Sequence, residues 1–143
     1  MSEISINKIS YTDTNFKIAQ NIRNQVFVLE QGVNPKLEMD RFDKDASHFL
    51  LLVNEIAIGT ARWRTTEFGV KLERFAILKD YRKLGYGSKL VKAVLSEISF
   101  HHKTIYLNSQ LNAVEFYKNL GFEPQGSLFE EAGIQHYKML FKG

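Results

Sequence analysis

The spacing of apolar and polar positions changes period several times along the chain. "EISINKI", residues 3–9, alternates with period two and predicts a first strand. In "TDTNFKIAQNIRNQVFVLEQG", residues 12–32, Ile18, Ile22 and Val26 recur at helical spacing, and Gly32 lies near the stop. Residues 33–46 are polar, with Pro35 and the acidic series Glu38, Asp40, Asp43 and Asp45, and they predict a loop or short helix on the surface. "HFLLLV", residues 48–53, predicts a buried strand, "NEI" a tight turn, and "AIGTARWRTT" the returning strand. "EFG" turns the chain again into a fourth strand, "VKLERFAI", residues 70–77. Over residues 84–99, Leu90, Val91, Val94, Leu95 and Ile98 make one apolar side of a helix. "KTIYLNSQ" reads as a strand, and "NAVEFYKNLG" as a short helix ending at Gly121. "FEPQG" and "GIQHYKMLF" supply two final strands.

Early hairpins and late crossovers imply an α/β (α+β) domain, a mixed sheet with helices on its faces. A Rossmann domain is excluded, because its nucleotide-binding turn follows an early strand and a ribose-binding acid comes later. The 143 residues are expected to form a single domain, 1–143, with a sizeable core. Apolar residues at 44% and charged ones at 24% match a soluble globular chain. No apolar run is long enough to cross a bilayer, and "MSEISINKIS" lacks the basic start and apolar core of a signal peptide. A cytoplasmic protein without a membrane partner is therefore expected. The absence of cysteine excludes disulfides, thiolate nucleophiles and cysteine-bound metals.

The net charge of +3 is mild, and no dense Arg/Lys stripe points to nucleic acid. Arg62 and Arg64 flank Trp63, but alternation puts the ring on one sheet face and both arginines on the other, against a stacking platform for RNA; a ligand phosphate or an anionic acceptor group would use the two arginines as readily. Four histidines without ligand spacing predict no metal. His101 and His102 read as surface residues at a helix end. The acidic series lacks the order of a calcium-binding loop, and its use is either a solvated surface or attraction of a cationic amine.

The most informative stretch is "RKLGYG", residues 82–87, between the fourth strand and a helix. Gly85 and Gly87 let the backbone approach a bulky ligand or take positive φ. Free N–H groups at the helix start then form a nest for phosphate oxygens, aided by the helix dipole. Arg82 can add a charged contact, and Ser88 a hydroxyl or a cap. A Walker A loop is absent, so the turn does not suggest ATP hydrolysis.

"RKLGYG" resembles the acyl-CoA pyrophosphate loop, [QR]-x-x-G-x-[GA], of the GCN5-related N-acetyltransferases. "LERFAI" is similar to their fourth strand, and "NSQLNAVEFYKNLGF" to their fifth strand and following helix. "VFVLEQGVNPKLEMDRFDKDASHFLL" and "GIQHYKM" further resemble the small bacterial ElaA/YjcF-like subgroup. The resemblance implies a mostly antiparallel sheet with splayed fourth and fifth strands. It implies an acceptor-shaping N-terminal half and a cofactor-holding C-terminal half. The pantetheine arm would meet the backbone of Phe75, Ala76 and Ile77. Arg82, Lys83, Leu84, Gly85, Tyr86, Gly87 and Ser88 match the pyrophosphate loop, and Asn112 matches a polar residue contacting the cofactor arm. The implied activity is acetyl transfer from acetyl-CoA to a primary amine of a small molecule, without metal, by a monomer or homodimer. Protein or peptide N-acetylation and a non-catalytic acyl-CoA sensor are the alternatives.

Acetyl transfer requires a polarised thioester carbonyl, a neutral amine and a protonated leaving thiolate. Tyr117 matches the position where the family commonly places a tyrosine near the cofactor sulfur, and a phenol there acts as general acid. Phe116 beside it is expected to pack into the core. Glu73, on the fourth strand and by alternation on the face of Phe75 and Ile77, is a candidate base. His48 and His136 are its rivals, both expected to line the acceptor pocket. Arg23 and Glu30 lie on the first helix, as part of an acceptor wall or as structural ion pairs.

Overall fold

The computed structural model describes residues 2–98 and 104–143. Strand β1 (Ile4–Ile9) leads into helix α1 (Asn15–Arg23), whose start is fixed by Asp13 accepting from the Asn15 N–H at 2.9 Å. The buried stripe of α1 is Phe16, Ala19, Ile22 and Arg23. Ile18 is instead 42% exposed, so the apolar spacing drawn through it is off by one face. An arginine holds a core position because carboxylates from the next loop meet it. The helix then widens into a π-helical segment at Asn24–Glu30.

Short helix α2 (Pro35–Glu38) precedes the hairpin of β2 (Ser47–Val53) and β3 (Ile56–Thr66). Its turn residues Asn54 and Glu55 have φ of +50° and +68°, the primed geometry that matches the twist of the strands. Strand β4 (Gly69–Ile77), helix α3 (Tyr86–Glu97), strand β5 (Ile105–Gln110), helix α4 (Val114–Lys118) and strands β6 (Phe122–Glu131) and β7 (Ile134–Phe141) complete the chain. The described residues form a seven-stranded sheet in the order β1-β2-β3-β4-β5-β7-β6. Only β4 and β5 pair in parallel, and only through Val70–Ile105, Lys71–Tyr106 and Leu72–Leu107. Beyond that point β4 follows β3 to Ile77 and β5 follows β7 to Gln110, so the two strands splay apart.

One core layer joins the sheet to α3 through Leu72, Leu90, Val94, Leu107, Phe122 and Met139. The other joins it to α1 through Ile9, Ala19, Ile22, Val26, Leu50 and Ala76. Each buried Leu, Ile or Val contributes about 1.5–3 kcal/mol of transfer free energy.

Two sequence expectations are corrected by the fold. Arg62 pairs with Glu73 but Thr60 with Ala76, so β4 carries one extra residue there, a β-bulge with Arg74 at φ +56°. The bulge breaks simple alternation. Phe75 and Ile77 pack on the α3 side, whereas Glu73 bonds Arg62 and Arg64 on the opposite face. Residues 33–46 are also not a solvated loop throughout. Glu38 and Asp43 are 4% and 5% exposed, folded against Arg23, Arg62 and Arg74, while Asp45 stays exposed. Buried guanidinium groups need anions beside them, and this segment supplies them.

Candidate active site

The splay opens a cleft of about 980 Å³ between β4 and β5, continuous with the start of α3. Phe75, Ala76 and Ile77 line its β4 wall, and Leu107, Ser109 and Gln110 its β5 wall. Past Leu72 the β4 edge facing the cleft has no strand partner among the described residues. An extended ligand can therefore pair with it as an added strand would.

The turn at residues 82–88 closes one end of the cleft. Lys83 and Gly85 have φ of +64° and +86°, so the chain curls through left-handed geometry before α3 begins. Gly85 is the N-cap and needs no side-chain room there; its backbone angle is what favours glycine. The first intrahelical bond runs from the Lys89 N–H to the Gly85 carbonyl. The N–H groups of Gly85 through Ser88 are thus left over at the positive end of a twelve-residue helix. Arg82, Lys83, Gly85, Gly87 and Ser88 line the cleft. Leu84 and Tyr86 do not: Leu84 projects outward and Tyr86 packs against the α3-side core.

Arg82 is already engaged. Its Nε donates to the Ile77 carbonyl at 2.8 Å, and its two terminal nitrogens clasp the carboxylate of Glu30. Hydrogen bonding to that carboxylate raises the guanidinium pKa and lowers that of Glu30. Beside this pair, the Gln110 side-chain amide donates to the Gln31 side chain at 2.8 Å. The π-helical segment is thereby tied to both walls of the splay.

Tyr117 and Asn112 both line the cleft. The Tyr117 ring meets Phe116 and Phe122 edge to face, with centroids 5.0 and 5.8 Å away. Burial pushes its phenol pKa above the ordinary value, so the hydroxyl keeps its proton throughout the neutral range. Phe116, expected in the core, is 38% exposed and lies at the cleft over Gly87. Its place on a one-and-a-half-turn helix leaves it outside the packed stripe.

His136 lines the cleft from β7, opposite Gln110. Its Nδ1–H donates to the Ile134 carbonyl at 2.7 Å, and its Nε2 lies 3.7 Å from the Glu131 carboxylate, which also lines the cleft. The Phe129 ring stacks on it at 5.8 Å. His48 is not part of the cleft. It is buried on β2, with Nε2 bonded to the Asp43 carbonyl at 2.8 Å and Phe16 edge-on to its ring. Burial lowers its pKa, so it stands as a neutral structural residue and not as a pocket rival to Glu73. His101 and His102 lie outside the described residues.

Glu73 does line the cleft, but among cations. Its Oε1 accepts from Arg62 at 3.1 Å and Arg64 at 2.6 Å, and Lys71 lies 3.3 Å from Oε2. Burial alone would raise its pKa, but Arg62, Lys71 and Arg64 outweigh it and the carboxylate is held ionised. A carboxylate so held is a weak proton acceptor. Arg23 is buried between Glu38 and Asp43 and forms no wall of the cleft. Of the two arginines the sequence offered to an anion, Arg64 lines the cleft and Arg62 is buried behind it. Lys71, Phe116 and Gln110 are cleft residues that the sequence did not single out as such.

A splayed parallel pair, a strand edge unpaired among the described residues and a glycine nest at a helix start together make one continuous cleft suited to an extended ligand with a phosphate end. The family whose model is described as "Acetyltransferase (GNAT) domain" matches residues 9–142. The chain belongs to that family, in its ElaA/YjcF-like subgroup. It is 33% identical over 134 residues to the uncharacterized N-acetyltransferase YjcF of Bacillus subtilis (strain 168), covering 92% of this chain and 96% of that one. The crystal structure of Escherichia coli ElaA superposes with a TM-score of 0.86 at 25% identity, covering 98% of this chain and 100% of that one. A GNAT family acetyltransferase from Elizabethkingia anophelis, solved with acetyl-CoA bound, shares the fold with a TM-score of 0.68 at 17% identity, over 96% and 94% of the two chains.

Proposed function

We propose that this protein transfers the acetyl group of acetyl-CoA to a primary amine of a small molecule, by direct attack within a ternary complex. The observation that carries the reading is the continuity of the β4–β5 splay with the nest of N–H groups at residues 85–88. Family membership supports it. The pantetheine arm pairs with the free edge of β4 at Phe75, Ala76 and Ile77. The pyrophosphate lies on the N–H groups of Gly85, Tyr86, Gly87 and Ser88, with Lys83 close by. Arg82 holds the turn in place through Ile77 and Glu30, and Asn112 flanks the arm.

In the chemical step the neutral amine attacks the thioester carbonyl, whose oxygen gathers charge against N–H groups of β4. The C–N bond forms, the C–S bond breaks, and the departing thiolate takes the hydroxyl proton of Tyr117. The new amide sheds the surplus proton of the amine to Nε2 of His136, directly or through water. Glu73 keeps its charge and fixes Arg64 and Lys71. No residue acts as a covalent carrier.

The test is release of free CoA thiol from acetyl-CoA in the presence of a panel of primary amines. Amine-dependent thiol release with an acetylated product is expected. Tight CoA binding with no transfer to any amine would leave an acyl-CoA sensor in place of an enzyme.

A further inference from the structure

Arg23, Arg62, Arg64, Lys71 and Arg74 face Glu38, Asp40, Asp43 and Glu73 in one contiguous network. It holds one more cation than carboxylate, and its histidine neighbour His48 is kept neutral by burial. The surplus is localised. Arg23, Arg62 and Arg74 each use their guanidinium ends on two or more oxygens of the network. Arg64 donates only through Nε, to Glu73 at 2.6 Å. Its plane is held on the Phe42 ring, 3.7 Å from the centroid. Both of its terminal nitrogens therefore make no hydrogen bond among the described residues, although the group is fixed in orientation. Lys71 stands directly across the β3–β4 ladder from Arg64 and touches the same carboxylate only at 3.3 Å. Arg64 and Lys71 both line the cleft that also holds Tyr117 and His136.

A pre-set guanidinium fork with an ammonium beside it matches a carboxylate or phosphate, which accepts two parallel bonds from arginine. We propose that the acceptor is an amine that also carries an anionic group, seated on Arg64 and Lys71 with its amine toward the acetyl-CoA end of the cleft. The inference rests on the transfer reading above and narrows its substrate class. The anion would cancel the surplus charge of the network, whereas a polyamine would add to it.

The experiment arranges the amine panel as matched pairs: amino acids against their amides, and phosphoethanolamine and glucosamine 6-phosphate against ethanolamine and glucosamine. Thiol release gives kcat/KM for each member on wild type, Arg64→Gln and Lys71→Gln. The anionic member is expected to be preferred at least about tenfold in wild type, and either substitution should collapse that preference through KM. The amino acid and phosphate arms tell the two anion sources apart. Equal use of both members, or preference for the uncharged ones, overturns the inference and leaves amine acetylation standing. If no amine is acetylated, the transfer reading has failed, and the anion site is decided by calorimetric titration of the CoA-loaded protein with inorganic phosphate and with acetate. Saturable binding lost in Arg64→Gln supports the site, and no binding of either anion overturns it.

Discussion

Tyr117 and His136 come from α4 and β7 and line the same cleft, yet only one was legible as a single reading. Tyr117 sits inside a local pattern, "NAVEFYKNLGF", so its candidacy needed no knowledge of distant residues. His136, His48 and Glu73 could be separated only by their partners, which are far away in sequence. Tyr117→Phe keeps the ring packing and removes only the hydroxyl, the proposed proton donor. It is expected to lower kcat about 10²-fold or more when chemistry limits the rate, with acetyl-CoA affinity little changed. A wild-type kcat in single turnover would remove Tyr117 from the step. For the base, His136→Asn should depress the rate most on the acidic side of the profile, where the amine is largely protonated. Glu73→Gln should instead raise the acceptor KM, because it releases Arg64 and Lys71. A pH–rate profile in which Glu73→Gln alone removes the acidic limb would reverse the two assignments.

At the scale of elements, the glycine turn and the order of strands and helices could be read because each is signalled by nearby residues. The bulge in β4 could not. No glycine or proline marks it, and the partners that hold the Arg74 guanidinium there, Glu38 and Asp40, lie more than thirty residues away in sequence. The one-residue insertion is what turns Phe75 and Ile77 toward α3 and leaves Glu73 among the arginines. A glycine accepts the same backbone angle at position 74, so Arg74→Gly is expected to fold and to bind CoA. Deleting Arg74 shifts the register by one and presents the wrong side chains to both faces. That variant should lose cooperative thermal unfolding by circular dichroism together with CoA binding. Equal behaviour of the two variants would show that the bulge is dispensable.

For the whole molecule, the largely buried network joins α1, α2, β3 and β4, and its members Glu38, Asp40, Arg64, Lys71, Glu73 and Arg74 line the cleft. The sequence showed its acids but not its arginine partners, because ion pairing across tens of residues leaves no period. Arg62→Met strands parts of Asp40, Asp43 and Glu73 and should cost about 3 kcal/mol in urea unfolding, at the low end for breaking a buried pair. Burial would raise the Asp40 carboxyl, but the hydrogen bond and charge of Arg62, with Arg74, bring it down to about 2. Its folded value lies below its unfolded one, so its contribution is complete above about pH 4 and is lost as pH falls toward about 2. The urea midpoint should therefore drop within that window, and less steeply in Arg62→Met; a midpoint unchanged down to about pH 2 would contradict the role given to the network. The cleft itself is tested most directly by calorimetry of CoA against the wild type and a Gly85→Asp, Gly87→Asp double variant. One site per chain is expected in the wild type. The folded double variant, with two carboxylates at the start of α3, should show no measurable heat of binding. Absence of binding to the wild type, or unchanged affinity in a folded double variant, would contradict an acyl-CoA site between β4, β5 and α3.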